Sequence, residues 1–171
     1  MFGLFKKKQP LPSDLFLSLS ESEYISKVRS LVDDLPPAGK IMLLVAYQNL
    51  DPLILAMKEM KKEDKSLPTS IEDLIRFMDP EGSKSDTEVG KRRKTWFWMA
   101  GLLKRIDKMK SEESKDIWNQ LIESGAHIHT VLPPNQLWSE DEKAYFSHIK
   151  NEDDGRFYVS KILNPFKEKW S

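Results

Sequence analysis

SESEYISKVRSLVDDLPPAGKIMLLVAYQNLDPLILAMKEM, residues 20–60, decides the fold class. Ser20 and Glu23 have the spacing of a capping box, in which each side chain satisfies a free backbone N–H. Tyr24, Ile25, Val28, Leu31, Val32 and Leu35 then recur at helical spacing and define one buried stripe. Pro36-Pro37 stops this helix, because proline disfavours the α conformation in the residue before it. Residues 38–50 continue as a helix that is apolar nearly all round, from Ile41 through Tyr47 to Leu50. A helix without a polar face belongs inside a bundle. Asp51-Pro52 reads as a restart, with Asp51 as N-cap and Pro52 at the first helical position. Leu53, Ile54, Leu55, Met57 and Met60 follow, and the solvated run Lys61 to Lys65 closes the segment.

Outward from this stretch the helical reading continues. Thr69 or Ser70 caps a short helix with Ile71, Leu74, Ile75 and Met78 on its apolar face, and Asp79-Pro80 ends it. Residues 80–90 have no periodicity and read as an exposed loop. Residues 91–110 form a long basic helix. Ser111 caps the next, which carries Ile117, Trp118, Leu121 and Ile122, and Gly125 stands where a left-handed C-cap is wanted. His127 to Leu132 is β-branched at Ile128, Thr130 and Val131 and reads as a short strand. Ser139 and Glu142 open a helix to about Lys150. Asp153-Asp154-Gly155 reads as a turn, and Arg156 to Leu163 as a second strand or a final short helix. The expected fold is mainly α, an irregular bundle of about seven helices, with a small two-stranded element from 127–132 and 156–162 as an accessory. Residues 1–19 are expected to be a flexible N-terminal arm, and 20–171 a single helical domain whose place of subdivision would be the loop 80–90.

A chain of 171 residues is one ordinary domain. It is 39% apolar and 32% charged, with five Trp, eight Phe and four Tyr that need burial, which is not the profile of a disordered chain. There is no Cys, so disulfides and thiolate chemistry are excluded. The longest apolar run, Ile41 to Tyr47, is far short of the roughly 20 residues that span a bilayer. Phe2, Leu4 and Phe5 precede Lys6, Lys7 and Lys8, the reverse of a secretory signal. These features predict a soluble, cytoplasmic protein.

Lysine plus arginine and aspartate plus glutamate balance at 27 each. The balance is uneven along the chain. Across residues 91–110, Lys91, Arg92, Arg93, Lys94, Lys104, Arg105, Lys108 and Lys110 face Asp107 alone. At about 100° per residue, Trp96, Met99, Leu103 and Ile106 share one side of this helix. Lys94, Phe97, Gly101, Lys104, Arg105 and Lys108 share another. Trp98 lies about 200° from Trp96 and needs a different element or a partner to pack against. Lys94, Phe97, Trp98, Gly101, Lys104, Arg105 and Lys108 are therefore the candidate partner-binding residues. The competing reading is a solvated face whose lysine stems lie over a neighbouring helix and cover Phe97.

Other chemistry is weakly signalled. His127 and His129 would share a strand face, and His148 would complete a three-His zinc site if the fold brings it near. Most carboxylate clusters occupy first helical turns, where they complement the helix dipole. No phosphate loop, dinucleotide fingerprint or nucleophile elbow is present. The sequence thus predicts no cofactor and favours a non-enzymatic protein-binding module, an adaptor or a toxin-neutralising antidote, that docks an acidic protein partner. The alternatives are a nucleic-acid-associated protein using Arg92, Arg93, Lys94, Lys104 and Lys108, and a metal-dependent enzyme at the three histidines.

Overall fold

The computed structural model describes residues 12–81, 88–127, 143–144 and 146–170, and these are mainly helical, with no strand among them. The helices are α1 (Pro12–Leu17), α2 (Glu21–Asp33), α3 (Pro37–Gln48), α4 (Leu50–Met60), α5 (Ile71–Phe77), α6 (Glu88–Met109), α7 (Glu112–His127) and α8 (Glu152–Trp170).

Helix α2 begins as its capping box requires. Ser20 Oγ accepts the Glu23 N–H at 3.4 Å, and Glu23 Oε2 accepts the Ser20 N–H at 3.2 Å. Ser70 is the cap of α5, taking the Asp73 N–H at 3.1 Å, and Ser111 takes the Ser114 N–H at the start of α7. Helix α3 is apolar all round because it is enclosed by α6, α7 and α8, which leaves Ile41, Leu43 and Leu44 fully buried. Helix α4 starts a residue before Asp51, and Pro52 sits inside its first turn, where its missing N–H has no intrahelical partner to lose. Asp51 is thereby freed from capping. Among the described residues no single helix is long and apolar enough to cross a membrane; α3 and α4 bend by 49° at their junction.

Helix α6 is the centre of the arrangement. It packs on α3 and α5, and more lightly on α2, α4 and α7, so helices on both sides of residues 80–90 share one core. Gly101 lets α5 approach closely: a Cβ there would stand 2.9 Å from Ile75 Cγ1. The other end of the core is aromatic. Tyr47 of α3, Trp118 of α7 and Phe166 of α8 pack with ring centroids 4.8–5.7 Å apart, Trp118 and Phe166 stacked.

Several expectations are corrected. Residues 88–90 of the expected loop open α6, and the helix expected to reach about Lys150 gives way to the turn at 146–148. Residues 12–17 of the expected arm form α1 and dock, with Phe16 and Ser13 buried; residues 1–11 lie outside the described residues. Arg156 to Leu163 is helical within α8, so the small β element loses one of its two strands. Residues 128–132 lie outside the described residues. Asp153-Asp154-Gly155 is the first turn of α8 and not a loop: Asn151 Oδ1 accepts the Asp154 N–H at 2.9 Å, and Asp154 Oδ2 accepts the Lys150 N–H at 3.0 Å. Gly125 lies inside α7, which runs on to His127.

Candidate functional site

The sequence-predicted face of α6 is where the chain's own elements converge. Lys94 lies over the Phe77 ring of α5, 5.9 Å from its centroid. Phe97 is half-buried and packs on the core. Trp98 meets α1, with its ring 6.3 Å from Phe16 and its Nε1 donating to Ser13 Oγ at 3.0 Å. Gly101 is buried under Ile75. Lys104 Nζ pairs with the freed Asp51 at 3.1 Å and lies over the Tyr47 ring. Arg105 stacks on the Tyr24 ring at 4.7 Å and donates to the Leu17 carbonyl. Lys108 alone of these residues is exposed. Lys104 and Arg105 thus each direct a donor to a partner inside the molecule. The side chains of Arg92 and Arg93 lie outside the described residues.

Two tyrosines anchor this network. Burial raises the Tyr24 hydroxyl well above its ordinary value, with the Arg105 charge opposing, and its O–H donates to the Leu102 carbonyl at 3.0 Å. Burial also raises Tyr47, reinforced by its 2.8 Å hydrogen bond to Asp107 and by the charges of Asp107 and Asp51. Neither tyrosine is available as a base or a nucleophile at neutral pH.

Of the three histidines, the side chain of His148 alone lies among the described residues. His148 lies in the turn at 146–148, with its ring 4.9 Å from Tyr158. His127 ends α7, and its side chain and His129 lie outside the described residues. Among the described residues no three His, Asp or Glu side chains are grouped to hold a metal ion.

A crevice that the sequence did not signal lies between α3 and α8. Its volume is about 560 Å³, and it is lined by Val45 and Gln48 of α3, by His148, and by Asp154, Phe157, Tyr158, Lys161, Ile162 and Pro165 of α8. The α8 members recur at three- and four-residue intervals, so they form one helical stripe. Phe157 on this stripe is 75% exposed, the most exposed large apolar side chain described. Pro165 has no N–H, so the Lys161 carbonyl loses its normal i+4 partner and α8 is weakened at that turn. Gln48 reaches across and donates to the next carbonyl, Ile162 O, at 2.9 Å. Lys161 is exposed at the edge and has no ion-pair partner among the described residues. The signal in the sequence was the stripe itself, hidden by reading Asp153-Asp154-Gly155 as a turn.

The class that this geometry defines is an all-α bundle with a helix-walled, largely apolar crevice. No protein-family model, no curated protein and no solved structure matches the chain.

Proposed function

We propose that the chain is a non-enzymatic binding module that captures a segment of another protein in the crevice between α3 and α8. The observation that supports this is Phe157. A phenylalanine held three-quarters exposed beside an apolar crevice is the kind of aromatic anchor that dominates interface energetics. Two helices with a groove between them suit an amphipathic helix, whose apolar residues at i, i+3 and i+4 would fill it. Lys161 favours an acidic residue at the rim of that segment. An acidic protein partner, expected from the basic helix, is thus retained, with the contact moved from α6 to α8. Adaptor and antidote are two uses of the same mode.

The test is affinity capture with the intact chain from its native host. Phe157→Ser is expected to weaken retention of the partner at least about tenfold, since an aromatic anchor is worth about 2 kcal/mol or more, and Lys161→Glu, which reverses the rim charge, is expected to weaken it as well. Lys108→Glu on α6 should leave it unchanged. Equal capture by wild type and both crevice variants would overturn the proposal.

A further inference from the structure

The expected docking face of α6 is partly covered by a very short helix. Helix α1 has six residues, far fewer than the roughly 12–15 that a helix needs to be stable alone in water. Its order comes from its seat, a cleft formed by α2, α5 and α6. That seat is built for particular atoms. Asp79, itself 1% exposed, accepts the Ser13 N–H at 2.8 Å and the Ser13 hydroxyl. Ser13 Oγ in turn accepts Trp98 Nε1. Phe16 is buried edge-on against Tyr24, 5.0 Å between centroids, and against Trp98, with Lys27 over its face. Arg76 of α5 pairs with Asp14, and Arg105 of α6 takes the Leu17 carbonyl. Leu15, pointing away, is 60% exposed. The cleft thus reads a small hydroxyl residue, an acid beside it and an aromatic three positions later.

We propose that this cleft is a peptide-recognition site occupied in cis, and that it takes a helical turn of the pattern Ser-Asp-x-Phe from another protein in place of α1. None of these residues lines the α3–α8 crevice. A buried carboxylate and an indole N–H converging on one hydroxyl are a polar key in an otherwise apolar seat. Such a key disfavours a segment that lacks the hydroxyl, because Trp98 Nε1 would lose the acceptor it has in Ser13 Oγ. Only residues 18–20 join α1 to α2. A tether this short holds α1 at a high effective concentration, so an outside segment competes only when α1 is weakened or the competitor binds more tightly.

The experiment uses the intact chain and a labelled synthetic peptide of residues 10–20 as the probe. Phe16→Ser weakens α1 in cis, and the peptide is expected to bind this variant at least about tenfold more tightly than wild type. Ser13→Ala or Phe16→Ala in the peptide should abolish that gain. Ser13→Asp in the intact chain is the second variant; it sets a carboxylate against Asp79 without touching the apolar contacts. A folded variant that ignores the peptide overturns the proposal. So does loss of the whole fold in both variants, because α1 would then be an obligatory part of the core.

Discussion

Gly101 shows how one missing side chain positions the α6 face. An added Cβ would meet Ile75 Cγ1 at 2.9 Å, and Ile75 is fully buried. Alanine would gain up to about 1 kcal/mol in helix propensity, but overpacking a tight core costs about 1–3 kcal/mol. The steric term wins, so Gly101→Ala is expected to destabilise the protein by roughly 1 kcal/mol. Urea unfolding would read this as a lower midpoint at unchanged slope; an unchanged or higher midpoint contradicts the close approach of α5. The same helix explains why the candidate residues were only half legible. The sequence shows that Trp98 points away from Trp96 and needs another element. It cannot show that the element is α1, because six residues have no period to detect and Ser13 and Asp79 are 66 positions apart. The basic side chains were legible as a face. Their partners Asp51, Tyr24 and Leu17 come from distant segments and were not.

At the scale of elements, local rules held where both halves of a motif are close in sequence. The caps at Ser20, Ser70 and Ser111 are of this kind, and all three accept the backbone N–H three residues on. Local rules failed where one residue type has two uses. Asp-Asp-Gly serves a turn, but it also serves a helix start, where carboxylates meet the positive end of the dipole. In α8 the second use prevails because Asn151 caps and Gly155 is buried. Helix α5 gives a prediction at this scale. It has seven residues and depends on its cap, and it carries the seat of α1. Ser70→Ala removes the side-chain acceptor of the Asp73 N–H at its start and is expected to cost about 1 kcal/mol, measured as a fall of roughly 2–4 °C in Tm. No change in Tm would mean that packing alone holds α5.

For the whole molecule, zero net charge conceals a positive helix, of whose cations Lys104 is paired with an acid from another helix. Asp51 and Asp107 meet Lys104 and Tyr47 on one side, and aromatic faces carry Lys94 and Arg105. This arrangement has a pH signature. Tyr24 and Tyr47 are held protonated by burial above their ordinary value of 10.0. A raised folded value contributes stability that is complete below the unfolded value and is lost as pH rises past it. Unfolding free energy is therefore expected to fall steadily from about pH 10 upward, seen in urea melts at pH 9 and 11; a flat profile would contradict the burial of these hydroxyls. The proposed partner surface is the crevice between α3 and α8. The most direct measurement is photo-crosslinking in the native host with a benzoylphenylalanine at position 157 and, in a second chain, at position 108. The expected result is one discrete protein adduct at 157 that disappears with Lys161→Glu, and none at 108. An adduct at 108 with none at 157 would contradict the crevice and return the contact to the basic helix.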